Sequence, residues 1–273
     1  MTEKKSRILT LLYGADYKEQ LGNIEAGCIG YESETGANNT MRTAFRILVL
    51  FGLLANLVTA LILYPAIELT VYLTNWALLL SIAVTSMVLK GSLDPNIKDK
   101  KGWLAATHII FQLGTVINSV VVVVYWLTIH SKVIANYEND TLGWLHQHLV
   151  HIFPCAAEVI IFLTTDIKFK AGHAKCFPAI ALLFGVVNCY HVKKTGEPTY
   201  WFLTWEDHNS PLVILGILIT FSAFFLGLAQ LSNALKGAKK AIDSALPETV
   251  GEPKIKIKRK RNCTQRFRKR GRR

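Results

Sequence analysis

His148, His151, Cys155 and Glu158 lie three or four residues apart in one apolar stretch of the chain. Such spacing puts side chains on one helix face. Unpartnered polar groups are expensive in hydrocarbon, so this face must look into a protein bundle. A second polar group, Val71-Tyr72-Leu73-Thr74-Asn75-Trp76, opens another apolar stretch. If both stretches start at the same membrane face, a rise of about 1.5 Å per residue puts Thr74 about 5 Å and His151 about 10 Å below it. His130 ends a third stretch at that face and His191 a fifth, and six of the eight histidines gather on that side.

Three chemistries could use such a layer. Thr74 could act as a nucleophile with His151 removing its proton, as a weak hydroxyl nucleophile requires. The bland alternative is that Thr74, like many threonines in membrane helices, bonds a carbonyl one turn back. His148, His151 and His191 could instead hold a zinc ion that activates water. Histidine pairs could also ligate haem. That reading wants pairs at both faces, whereas the second stretch has no histidine and the opposite half has only His108 within a helix.

The elements that must position these residues are six apolar stretches, at about 44–64, 71–89, 103–130, 145–163, 174–192 and 211–234. Each has about the 20 residues needed to cross a bilayer. Residues 48–64 and 211–229 are apolar around the whole circumference, unlike the amphipathic helices of a soluble domain. The expected fold is all-α, a polytopic membrane bundle of six transmembrane helices. Residues 1–43 form an N-terminal arm, 44–234 the transmembrane domain and 235–273 a polybasic tail. Ile8–Tyr13 reads as an amphipathic turn on the membrane surface. Pro154 and Pro178 are expected to kink the fourth and fifth spans.

Basic residues set the orientation. Residues 1–46 carry 6 Lys and Arg, 90–102 carry 4, 164–175 carry 3 and the tail from 235 carries 15, leaving only Lys132, Lys193 and Lys194 for the opposite side. Both termini are therefore expected to be cytoplasmic. The Asn139–Thr141 glycosylation triplet falls on the lumenal side, although Asn38–Thr40 and Asn262–Thr264 match equally well on the other. Met1–Thr43 is mostly polar, so the first span reads as an uncleaved insertion signal. The five cysteines are scattered and suggest neither a disulfide framework nor a zinc finger.

The net charge of +12 is concentrated in the tail, in Lys254–Arg261 and Arg266–Arg273. This argues for anionic lipid headgroups as partners, at about 1 kcal/mol per residue near the surface, and against nucleic acid. Arginine-rich retention in the endoplasmic reticulum is a further reading, and the endoplasmic reticulum or plasma membrane is the expected location. Deeper in the bundle, Glu158 lies about 20 Å below the first face, and His108 reaches a comparable depth from the other. The two are expected to form a structural polar pair.

Several of these groups together resemble the androgen-induced gene family. The resemblance rests on Tyr72-Leu73-Thr74, Trp144-Leu145 followed by His148-x-x-His151 and Pro154, and Cys189-Tyr190-His191 followed by Thr195-Gly196 and Tyr200-Trp201-Phe202. It covers roughly residues 44–235. Asn75-Trp76 follows the threonine where animal members have a different apolar pair, and the spacing from Trp144 to the histidines is one residue longer. Leu73-Thr74-Asn75-Trp76 is also similar to the rolling stone group of six-span proteins, which are linked to cell fusion.

The first resemblance implies a multi-pass threonine hydrolase of fatty acid esters of hydroxy fatty acids. Thr74 would be the nucleophile and His151 the base, with no cofactor or metal. A bilayer-dissolved ester would reach Thr74 between helices and form an acyl-enzyme that water then hydrolyses. Asn75 or a nearby backbone N–H would stabilise the oxyanion, or Asn75 would simply join helices. His148 and His191 would orient His151 or bind a substrate carboxylate. No acidic third member is evident. The competing class is a non-enzymatic six-span protein with a fusion, structural or transport role, although neither an internal repeat nor paired broken helices points to a transporter.

Overall fold

The computed structural model describes residues 37–245 apart from 95, 98, 99, 166 and 168. It is built from helices, with no strand among the described residues. Six helices are long and apolar enough to cross a membrane, which makes the protein a multi-pass membrane bundle. They are α1 (Ala37–Leu63), α2 (Leu73–Leu93), α3 (Lys101–Val124), α4 (Thr141–Thr164), α5 (Phe177–Thr195) and α6 (Asn209–Ala245). A π turn at Tyr125–Ile129 and short helical turns to Tyr137 prolong α3, and a 3-10 turn at Ala171–Cys176 leads into α5.

Helices α1 to α4 pack on one another, with α2 against α1, α3 and α4. Helices α5 and α6 join through an aromatic cluster in which Phe177 meets Phe221 and Phe225, and Phe169 meets Phe111 and Phe225. The outer surface is apolar. Leu48, Phe51, Val58 and Ile62 of α1, Leu182 and Val186 of α5 and Leu212 and Ile219 of α6 are all exposed. This inverts the soluble-protein pattern and suits hydrocarbon as solvent.

The α1 helix already includes residues 37–43 of the expected arm, and α6 continues ten residues past 235. Ile8–Tyr13 and the basic runs of the tail lie outside the described residues. Pro178 does not kink a span. It sits in the first turn of α5, where its missing N–H costs no hydrogen bond. Pro154 is inside α4 as expected. Asp140 caps α4 by accepting the Gly143 N–H at 3.0 Å. Gly196 ends α5 in the left-handed conformation, φ 76°, with its N–H on the Val192 carbonyl at 2.8 Å.

The expected His108–Glu158 pair does not form. Glu158 is fully buried, and its Oε1 accepts the Ser81 hydroxyl at 2.6 Å and the Asn118 amide at 3.0 Å. The residue of α3 level with it is Gly114, where a Cβ would stand 2.5 Å from Oε1. His108 lies almost two turns away along α3. There Gln112 donates its amide N–H to His108 Nε2 and accepts from His173 Nδ1 at 2.9 Å. Glu158 Oε1 and His108 Nε2 thus each find partners in their own layer.

Candidate active site

The start of α2 brings its first residues to one end of the bundle. Tyr72 is extended, the Leu73 N–H donates to the Tyr200 hydroxyl at 3.1 Å, and the Asn75 and Trp76 N–H groups turn back to the Tyr72 carbonyl. The Trp76 indole N–H occupies the Thr70 carbonyl at 2.7 Å. Among the described residues, no acceptor meets the Thr74 N–H. Tyr200 comes from the segment between α5 and α6, and burial holds its phenol above the ordinary tyrosine range. It therefore stays a neutral acceptor for the helix end.

The Thr74 hydroxyl does not bond a carbonyl. Thr59, Thr107, Thr115, Thr128, Thr165 and Thr195 all donate to a carbonyl four residues back. Thr74 Oγ1 instead lies 3.3 Å from His151 Nε2. His151 Nδ1 is 2.7 Å from the Gln147 carbonyl, which can only accept, so Nδ1 carries the proton and Nε2 turns its lone pair to Thr74. The separation is slightly beyond the roughly 2.6–3.2 Å of an engaged nucleophile and base, as substrate-free sites often are.

Tyr125 fixes the imidazole plane. It stacks on His151 with centroids 3.5 Å apart and an interplanar angle of 7°. Tyr125 opens the π turn, a deformation concentrated at functional positions in helices. Among the described residues, His151 hydrogen-bonds no carboxylate. The orienting role of an acidic third member falls to a backbone carbonyl one turn back, while Glu206 and Asp207 are exposed.

Thr74, Asn75 and His151 line a cavity of about 330 Å³. Its apolar lining includes Val120, Val124, Ile217 and Phe221. Its polar lining includes Tyr64, Tyr137 and Gln147, with the Tyr64 and Tyr137 hydroxyls 2.8 Å apart. The volume is at the lower end of the range for small-molecule pockets.

His148 and His191 do not line this cavity. His148 donates from Nδ1 to the Trp144 carbonyl and packs in an outer aromatic group with Trp144, Trp126 and His130. The inward stripe of α4 is Gln147, His151, Pro154 and Glu158, and His148 stands about 60° round the helix from His151. His191 is half-buried on α5, and its carbonyl accepts the Thr195 hydroxyl. Among the described residues, no three His, Cys, Asp or Glu side chains are grouped to hold a metal ion.

Sequence reasoning missed Tyr64, Tyr125, Tyr137, Gln147 and Tyr200. Gln147 carried a usable signal, standing one helical turn before His151. Tyr200 entered only through the Tyr200-Trp201-Phe202 motif, and Tyr64, Tyr125 and Tyr137 drew no reading. Compared with protein-family models, curated proteins and solved structures, the chain matches none.

Proposed function

We propose that this chain is an integral-membrane hydrolase of lipid esters with Thr74 as nucleophile and His151 as general base. The observation that carries the reading is the Thr74 hydroxyl, turned to the free lone pair of a tautomer-fixed histidine instead of to its own backbone. Thr74 Oγ attacks the ester carbonyl as His151 Nε2 takes its proton. The oxyanion meets the Thr74 N–H and Asn75 at the helix start. Collapse breaks the ester C–O bond, His151 returns the proton to the departing alcohol, and acyl-Thr74 remains. Water then gives a proton to His151, attacks the acyl carbonyl and releases the fatty acid. The proton goes back to Thr74.

Membership of the androgen-induced gene family, and its fatty acid esters of hydroxy fatty acids as substrates, belong to the same proposal. So do cytoplasmic termini, with the site near the opposite face of the endoplasmic reticulum or plasma membrane. Labelling of the purified chain by an alkyl fluorophosphonate tests the chemistry. Wild type should label covalently at Thr74, and Thr74→Ala and His151→Ala, at matched folded amount, should not. A folded wild type that stays unlabelled refutes the activated threonine and favours a non-enzymatic role.

A further inference from the structure

We infer that a groove between α1 and α4, at the end of the bundle away from Thr74, binds an anionic phospholipid. Its volume is about 300 Å³, and it is lined by Arg42, Phe45, Arg46 and Val49 of α1, Thr85 of α2 and Ile160 of α4. Phe45 is 42% exposed, so the groove opens on the outer, lipid-facing surface. None of these residues takes part in the proposed hydrolysis.

Positive charge sits at the start of α1. Arg42 and Arg46 stand one turn apart in the first two turns of the candidate span Thr40–Leu63. Arg46 is buried, and its Nη1 donates to the hydroxyl of Ser92, at the opposite end of α2 from Thr74. The ends of a span lie at headgroup level, where basic pockets between helices take anionic lipid heads. Two guanidinium charges there attract a phosphate whatever neighbours share their N–H groups. Among the described residues, no Asp or Glu lines the groove to oppose it.

Thr85 points to a ligand independently. It is fully buried, and among the described residues no partner meets its hydroxyl. Such a group is costly unless something bonds it. Thr85 precedes Ser92 by about two turns of α2, which puts it about 10 Å deeper in the bundle. The ester carbonyls of a phospholipid also lie deeper than its phosphate, and one of them can accept from Thr85. Phe45, Val49 and Ile160 supply apolar surface for the acyl chain. A free phosphate ion would meet the arginines and leave Thr85 unmatched, whereas a zwitterionic lipid would bring its own cation to the arginines.

The full-length chain in neutral detergent is titrated with phosphatidylglycerol, phosphatidylcholine or soluble glycerol phosphate, and the first adduct is followed by native mass spectrometry. Ammonium acetate at about 0.3 M screens exposed tail charges more than partly buried ones. Phosphatidylglycerol should bind about tenfold or more tighter than either competitor. Arg42→Gln/Arg46→Gln should bring it within about twofold of phosphatidylcholine, with the tail unchanged. Thr85→Val removes a hydroxyl that has no protein partner, so it should fold normally and bind both lipids about fivefold more weakly. Equal binding of the two lipids to wild type, glycerol phosphate bound as tightly as phosphatidylglycerol, or a preference that survives the double variant overturns the site. Where the double variant does not fold, Thr85→Val decides alone, and unchanged lipid affinity overturns the site.

Discussion

Gly114→Ala puts a methyl group where Glu158 already is. A Cβ at 114 would lie 2.5 Å from Oε1 and 3.2 Å from the carboxyl carbon. Ordinary van der Waals separation requires the carboxyl to move by about 0.9 Å. Directed away from them, that displacement stretches the Asn118 and Ser81 hydrogen bonds, now 3.0 and 2.6 Å, to about 3.9 and 3.5 Å, breaking the first and weakening the second. Two side-chain hydrogen bonds in a membrane bundle contribute about 1–2 kcal/mol together. A fully buried carboxyl left short of donors adds about 1–3 kcal/mol. Against this, alanine gains about 1 kcal/mol over glycine within a helix.

The net expectation is destabilisation of about 1–4 kcal/mol, read as reversible unfolding in mixed micelles. In a Glu158→Ala background the obstruction is absent, and the same Gly114→Ala change should stabilise by about 1 kcal/mol. This reversal of sign is the diagnostic result. Gly114→Ala that is neutral or stabilising in the parent chain would refute the proposed packing of Glu158 against α3.

Two further predictions concern the other end of the bundle. Tyr125→Leu removes the ring stacked on His151, a contact of about 0.5–1.5 kcal/mol, so fluorophosphonate labelling should slow by about two- to tenfold. Tyr125→Phe should keep nearly the parent rate, and equal losses in both variants would argue against ring stacking. Tyr200→Phe takes the acceptor from the Leu73 N–H, and hydrogen exchange at that amide should quicken about fivefold, corresponding to about 1 kcal/mol. Unchanged exchange would show that the cap contributes nothing.

The spans were legible because a bilayer demands long apolar runs whatever the bundle does inside them. Thr74 and His151 could be put in one layer because they are the second residue of α2 and the eleventh of α4, so less positional error accumulates than at Glu158. Glu158 lies seventeen residues into α4, and there a depth argument from both faces selected the wrong partner, His108. Ser81 and Asn118 were visible as polar residues within spans, but their helix rotation was not. The π turn left no periodic signal in Val120–Trp126, a run of branched residues and aromatics that continues an α-helix equally well. Tyr64, Tyr137 and Tyr200 come to line one cavity only after folding.

The π turn at Tyr125–Ile129 amounts to one residue more than the α-helical register needs. Losing a single residue there would leave all six spans intact and would barely alter hydropathy along the chain. It would, however, turn the widened stretch into ordinary α-helix, with the two parts of this long helix keeping their register on either side. What changes is local, the wide turn that Tyr125 opens beside His151. One codon would thus reshape the wall beside His151 while the membrane topology stays untouched.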